Sequence, residues 1–402
     1  MQADHSRRRV AKRVVIHFPG FEPLDATRHR DRYQRAMAKT AELWHLDADV
    51  GPLSEGPGCP RFDVEVTRAG QGWKTSSRIF MLDHDAIVAH LASRSLPVRL
   101  VGGFLSAAAV IREGGASGYF RHAWRFGLFF IFPFLLIGLG LMIGLALAVS
   151  PHWLGLSPWF HLPAVVLGLL FFLKAVLPYS ERYHTLHLLS DWDMAVAVAR
   201  LDDPVINAWI DDAAQKARAA FDEAADEYVV TSHSMGSSMA AHVIGRLLER
   251  EPDLFDGKRV VFVTLGGAIL QCALMRSARV LRARVGLITR AKNLGVIEVQ
   301  CLTDPISFYK SSVTELTGNG DAPPAKLIFL RIRNMLERDR YRKIKRDFLR
   351  VHRQYVLGSD RKTHFDFGLM TSGPLPASSF DGFSSPDALD QALGRLSQTE
   401  AA

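Results

Sequence analysis

Cysteine is scarce in this chain. Cys59, Cys272 and Cys301 are the only three among 402 residues, and no two form a CxxC pair. There is therefore neither a zinc-ligand pattern nor an even set for a disulfide framework, and a reducing compartment is the simpler reading. The apolar core of a secretory signal is also missing: the basic N-terminus MQADHSRRRVAKRVVIHFPGF offers only VVIHF before Pro19 and Gly20. No internal repeat is evident, and the one biased stretch is a Ser/Pro/Gly-rich tail after Ser372, read as loop. Acid falls short of base, 41 Asp and Glu against 49 Lys and Arg, for a formal charge of +8. That excess favours an anionic partner, either a lipid surface or a nucleic acid.

Hydrophobic residues are abundant, at 48%, and concentrate between residues 126 and 177. The uncharged run FGLFFIFPFLLIGLGLMIGLALAV, residues 126–149, would extend about 36 Å as a helix, enough to cross a hydrocarbon core of about 30 Å. A second run, WFHLPAVVLGLLFFLKAVL at 159–177, carries His161, Pro163 and Lys174. Lys174 is near enough to its end to snorkel, and Trp153 and Trp159 suit an interface. Two crossings are expected, with a buried or monotopic hairpin as the alternative. Arg112, Arg121 and Arg125 precede the first run, Lys174 and Arg182 close the second, and the connector SPHWLGLSP has no Lys or Arg. The positive-inside rule then puts both outer flanks in the cytoplasm.

Outside the hairpin, strand and helix patterns alternate. Residues 13–17 read as a strand running into Phe-Pro-Gly-Phe, 25–46 as a helix, 61–67 as a strand and 83–93 as a helix. After the hairpin, 190–225 has helical spacing, 227–231 reads as a strand, 237–250 as a helix, and 259–264 and 296–302 as strands. This order predicts a layered α/β domain with a parallel sheet.

Within it, residues 227–250 read EYVVTSHSMGSSMAAHVIGRLLER. A strand, a tight turn and a helix surround Ser234, with small residues, Ser232 and Gly236, two positions to either side. A nucleophile elbow needs this arrangement so that backbone segments can pass closely. The alternative is a plain Ser/Gly bend. Asp304, in VIEVQCLTDP, is the carboxylate best placed at a strand end, although Asp before Pro305 also reads as a helix N-cap.

In these residues the chain resembles the α/β-hydrolase family, particularly lipase-like and esterase-like members. The resemblance runs along VVIHFPGFEP, VVTSHSMGSSMAAH, VVFVTLGGA and LTDPISFY, with Ser232 where the family's G-x-S-x-G has its first glycine. It implies an α/β-hydrolase-like, mostly parallel sheet flanked by helices and interrupted by a two-helix transmembrane hairpin. The expected parts are residues 1–125 and 178–372 as two pieces of one hydrolase domain, 126–177 as the hairpin and 373–402 as a loop-rich tail. It further implies Ser234 as nucleophile, Asp304 as the acid and a histidine on a loop after the last strand as base. His364 in DRKTHFDFG is assigned to that role, beyond an expected strand at 352–357, and His352 is the rival. The backbone N–H groups of Met235 and Phe21 are the implied oxyanion donors, and His17 is read as structural. The implied chemistry passes through an acyl-serine and requires no metal or organic cofactor.

Residues 326–354, KLIFLRIRNMLERDRYRKIKRDFLRVHRQ, intersperse Arg and Lys with apolar residues and predict a basic helix over 326–350. Such a helix suits an anionic leaflet or a solvated surface. Nucleic acid is disfavoured because no recognition motif accompanies the charge. The expectation is a membrane-anchored serine hydrolase of carboxylic or lipid esters, its catalytic domain on the cytoplasmic side. A noncatalytic scaffold that recruits partners, or an acyltransferase using the same serine, are the alternatives.

Overall fold

A computed structural model describes residues 9–56 and 58–396; the first eight residues of the basic N-terminus and the last six of the tail lie outside this range. The strands are β1 (Lys12–Phe18), β2 (Asp47–Val50), β3 (Ser54–Gly56), β4 (Cys59–Thr67), β5 (Lys74–Met81), β6 (Glu227–His233), β7 (Val260–Leu265), β8 (Leu294–Cys301) and β9 (Lys326–Leu330). The longer helices are α1 (Ala26–Trp44), α2 (Asp85–Ser93), α3 (Leu96–Arg112), α4 (Gly115–His122), α5 (Trp124–Trp153), α6 (Pro158–Glu181), α7 (Thr185–Arg200), α8 (Pro204–Phe221), α9 (Gly236–Arg250), α10 (Arg279–Arg290) and α11 (Pro386–Arg395). Two compact units result, one from residues 1–88 and 197–402, the other from 89–196.

The first unit is built on a single sheet in the order β2-β4-β5-β1-β6-β7-β8-β9, with β3 on β4. The strands from β5 to β9 run parallel, while β2, β3 and β5 pair antiparallel with β4. β6 and β7 are buried along their whole length. This explains the near-continuous apolar VVFVTL of β7, since helices cover both faces of a parallel sheet. β1 and β6 lie side by side although more than two hundred residues separate them, so the two halves of the chain close one core. Helix starts follow local chemistry. The Asp25 carboxylate accepts from Arg28 N–H at 2.8 Å to begin α1, and Asp203 before Pro204 caps α8. The predicted continuous helix at 190–225 therefore breaks, with Leu201 in the left-handed region (φ 55°) between α7 and α8.

Three sequence expectations are corrected in this unit. Residues 326–350 are not one basic helix. KLIFL is an edge strand whose apolar residues complete the sheet, and short helices at Ile332–Met335, Arg338–Ile344 and Phe348–His352 follow. Residues 352–357 are not a strand, because the Asp347 side chain caps a new helix there and a 3-10 turn, Arg353–Val356, continues it. The described part of the tail is not loop-rich: it holds a 3-10 turn at Ala377–Gly382 and α11, with Phe380, Leu389 and Leu393 buried. A buried ion pair ties it down. Arg13 contacts Glu227 at 2.8 Å and donates to the carbonyls of Gly373 and Leu375, while Glu227 accepts from Ala377 N–H.

The second unit is helical and larger than the hairpin expected at 126–177. α5 and α6 are both long and apolar enough to cross a membrane. They cross at glycines: a Cβ on Gly168 would lie 2.2 Å from the Gly144 carbonyl oxygen, and one on Gly140 would lie 2.3 Å from Val176. Small residues at such a crossing let the helices approach closely. Leu139, Met142, Leu145, Leu162 and Leu167 point outward and are exposed. Around the start of α5, Tyr119, Phe126, Phe130 and Trp192 form an aromatic cluster, with Phe130 and Trp192 edge to face at 4.7 Å.

Candidate active site

The turn after β6 places Ser234 at the carboxyl end of a central strand. Its φ is 52°, a left-handed value that costs a non-glycine residue about 1–3 kcal/mol and persists only where surrounding structure enforces it. Here Ser234 N–H donates to the Leu265 carbonyl, and the Ser234 carbonyl accepts from Ala268 N–H at 3.1 Å. The flanking small residues each have a reason. A Cβ on Gly236 would lie 2.2 Å from the Pro19 carbonyl oxygen and 2.5 Å from that of Phe18, so only glycine lets the loop after β1 pass. Ser232 is fully buried; its hydroxyl donates at 3.1 Å to the Val263 carbonyl and is hydrogen bonded at 3.1 Å with the Ser237 hydroxyl. A serine thus fits where a glycine would be usual, because its polar atom is satisfied.

Asp304 is buried just past β8. One carboxylate oxygen accepts from Ile306 N–H at 2.9 Å, which fixes the turn at Pro305; no helix starts there. The other accepts from His352 Nδ1 at 2.7 Å and from the Tyr355 hydroxyl at 3.1 Å. His352 and Tyr355 are one helical turn apart, so both reach the same oxygen. With Nδ1–H committed to the carboxylate, Nε2 of His352 is the basic nitrogen. It is buried and has no protein hydrogen-bond partner among the described residues. An unpaired nitrogen at that depth is costly unless a ligand or reacting group occupies it.

Two observations put this imidazole at the serine turn. His233, the residue before Ser234, lies against the His352 ring with centroids 4.7 Å apart, and its Nε2–H donates to the His352 carbonyl at 3.1 Å. A Cβ on Gly266, which directly follows the carbonyl that binds Ser234 N–H, would lie 3.0 Å from His352 Cε1. Burial, with the nearby His352 adding to it, pushes the His233 pKa well below its ordinary value, so that ring is neutral. Burial likewise pushes Tyr355 well above the usual phenol range, with the Asp304 charge reinforcing it.

The loop after β1 closes the other side. Gly20 backs onto the turn, where a Cβ would lie 2.9 Å from His233 Nδ1 and 3.1 Å from Ser234 Cβ. Phe21 follows it, buried. Glu22 is buried as an ion pair with Arg32, at 2.5 Å, and with Arg353. Burial raises the Glu22 pKa, but Arg32 and Arg353 and then His233 outweigh it and hold the group at about 2. Arg353 directly follows His352, so Glu22 ties this loop to the histidine. At the elbow, Met235 N–H precedes the first turn of α9 and makes no protein hydrogen bond among the described residues. It is therefore a donor available to a developing negative charge.

His364 is elsewhere. Its ring is hydrogen bonded to the backbone of Phe329 on β9, and burial lowers its pKa; Asp304 is paired with His352 instead. His17 is satisfied by Thr231 Oγ1 at 2.8 Å and held near 3, first by burial and then by the charges of His29 and Arg32. Sequence reasoning also missed Tyr355, His233, Glu22 and Arg353. The spacing H-x-x-Y at 352–355 was the available signal, since two hydrogen-bonding rings on one helical turn can converge on one carboxylate. Among the described residues no group of three or more His, Cys, Asp or Glu side chains is arranged to hold a metal ion. No protein-family model, curated protein or solved structure matches this chain.

Proposed function

We propose that this chain is a membrane-anchored serine hydrolase of the α/β-hydrolase type, cleaving carboxylic esters and, from its anchoring, lipid esters. The observation that carries the reading is the buried Asp304–His352 hydrogen bond, which leaves His352 Nε2 unpartnered at a turn where Ser234 is held left-handed. The chain order Ser234, Asp304, His352 is that of the family, and the strained strand-to-helix turn is its elbow. In the reaction, His352 Nε2 takes the Ser234 hydroxyl proton as Oγ attacks the ester carbonyl. Asp304 holds the Nδ1–H tautomer and stabilises the imidazolium. The Met235 N–H and the loop carrying Phe21 face the oxyanion. His352 then returns the proton to the departing alcohol, and water, deprotonated by the same nitrogen, releases the acid from the acyl-serine.

The membrane part of the proposal rests on α5 and α6 and on parity. β1 precedes the helical unit and its sheet neighbour β6 follows it, so the chain has to leave and return on one side of a bilayer. Two crossings satisfy this. A third, counting the apolar but bent pair α2 and α3 as a span, does not. The charge asymmetry of the flanks supports a cytoplasmic location for that side. Arg333, Arg338, Arg342, Lys345 and Arg361 line one open groove, a basic surface suited to an anionic leaflet.

The test is turnover of short-chain and long-chain aryl esters by the full chain in detergent and in liposomes, with Ser234→Ala alongside. Turnover lost in Ser234→Ala but not in a surface variant is expected. A folded wild type inactive on both ester classes would leave the fold as a noncatalytic scaffold.

A further inference from the structure

α3 presents an apolar stripe that the protein does not cover. Val98, Val101 and Leu105 are 51%, 59% and 66% exposed, and Ala108 is exposed beside them. Their spacing, i, i+3, i+7 and i+10, puts them on one helix face. The opposite face is fixed. A Cβ on Gly103 would lie 2.5 Å from Leu189, Ser106 Oγ donates to Asp193 at 3.1 Å, and Ala107 and Val110 are buried. The helix cannot roll to hide its stripe without breaking these contacts.

The height of α3 along the hairpin is set by neighbours within the same unit. Phe132 meets Tyr183, with ring centroids 6.4 Å apart, and Gly140 faces Val176. Residues 132–140 of α5 therefore stand level with 176–183, the end where Tyr179, Arg182 and Tyr183 cluster. α3 packs at this level: Phe104 lies edge to face with Phe134 at 5.6 Å, and Leu100 and Phe104 rest on the cluster of Ile137, Phe172 and Val176. Tyrosines and an arginine at the end of an apolar hairpin mark the boundary between headgroups and acyl chains. Leu135 and Leu139, at the same level of α5, are likewise apolar and exposed. Its helix carries Arg99 and Arg112 and no acidic residue, as an anionic leaflet favours.

We infer that α3 is an in-plane interfacial helix that inserts Val98, Val101 and Leu105 into the leaflet at the Tyr179–Tyr183 end of the hairpin. The bilayer contacts the protein through three helices, of which two cross. This rests on the membrane reading of α5 and α6. The experiment keeps the two apart. Val101→Cys, Leu105→Cys, Leu145→Cys on α5 and Asp256→Cys on an exposed loop are each labelled with bimane; the native cysteines are buried. The full-length variants are reconstituted in phosphatidylcholine–phosphatidylglycerol vesicles and quenched by aqueous iodide or by lipids carrying nitroxide near the headgroup. Expected at 101 and 105 are a blue-shifted emission, loss of iodide quenching relative to 256, and strong quenching by the shallow nitroxide. Iodide quenching at 101 and 105 equal to that at 256, with 145 still lipid-quenched, overturns this inference alone. Shielding from both quenchers overturns it too and assigns the stripe to a protein contact. Iodide quenching at 145 overturns the membrane reading itself.

Discussion

At the scale of single residues, the site depends on atoms that have no room to move. Gly236→Ala would place a methyl carbon inside contact distance of two backbone carbonyls, and such overpacking costs about 1–3 kcal/mol or more. We expect a lower unfolding midpoint together with loss of esterase turnover. Ser232→Gly is the contrasting case, because it restores the usual glycine and removes two buried hydrogen bonds. It should cost about 1 kcal/mol in chemical denaturation and leave turnover within a few-fold of wild type. The settings of Ser234 and Asp304 were legible in the sequence because they are local: a small-residue turn between strand and helix, and an acid closing an apolar strand. His352 stood there only as the rival to His364. VHRQYVL has the β-branched and aromatic character of a strand, and only tertiary packing shows that its imidazole meets a carboxylate 48 residues away.

Between elements, two buried ion pairs hold the site's supports together. Glu22 joins the loop after β1 to the helix end that carries His352. Its folded pKa of about 2 lies below the ordinary 4.5, so the pairing stabilises the fold above the ordinary value and is lost as pH falls towards the folded one. A shift of that size corresponds to about 3 kcal/mol. Denaturation midpoints measured across this acid range should fall for wild type and stay nearly flat for Glu22→Gln, which begins lower at neutral pH. A wild-type midpoint indifferent to acid would contradict the tie. Arg13 and Glu227 play the same part at the other end of the sheet. Glu227→Gln leaves a buried guanidinium without its counter-charge, for an expected loss of about 3–5 kcal/mol. Faster proteolysis of the tail should accompany it, since Ala377 N–H loses its acceptor's charge. Strands β1, β4, β6, β7 and β8 could be read from apolar runs and alternation. β5, KTSSRIFM, could not, because its first half is polar and takes strand form only between β1 and β4. The basic stretch misled for a related reason: helical spacing of charges says nothing of the Asp347 cap or of the sheet edge that claims KLIFL.

For the whole molecule, the sheet closes across an inserted helical unit, so membrane topology and fold constrain one another. Leu156→Cys in the connector between α5 and α6 should be labelled by an impermeant maleimide only from the side opposite the sheet; labelling only from the sheet's own side would contradict two crossings. The hairpin was legible because length and apolarity suffice for it. The reach of the helical unit to α3 and α4 was not, because α3 mixes small, apolar and basic residues and its placement depends on Gly103 meeting Leu189. The central claim is that Ser234 is a nucleophile activated by His352 on Asp304. Fluorophosphonate labelling of the wild type, Ser234→Ala, His352→Ala and His364→Ala, with the modified peptide mapped, tests it most directly. The account predicts modification of Ser234 in the wild type and in His364→Ala. It predicts none in Ser234→Ala and a loss of about 10³-fold or more in labelling rate for folded His352→Ala. Undiminished labelling in His352→Ala, or loss of labelling in His364→Ala alone, would contradict it.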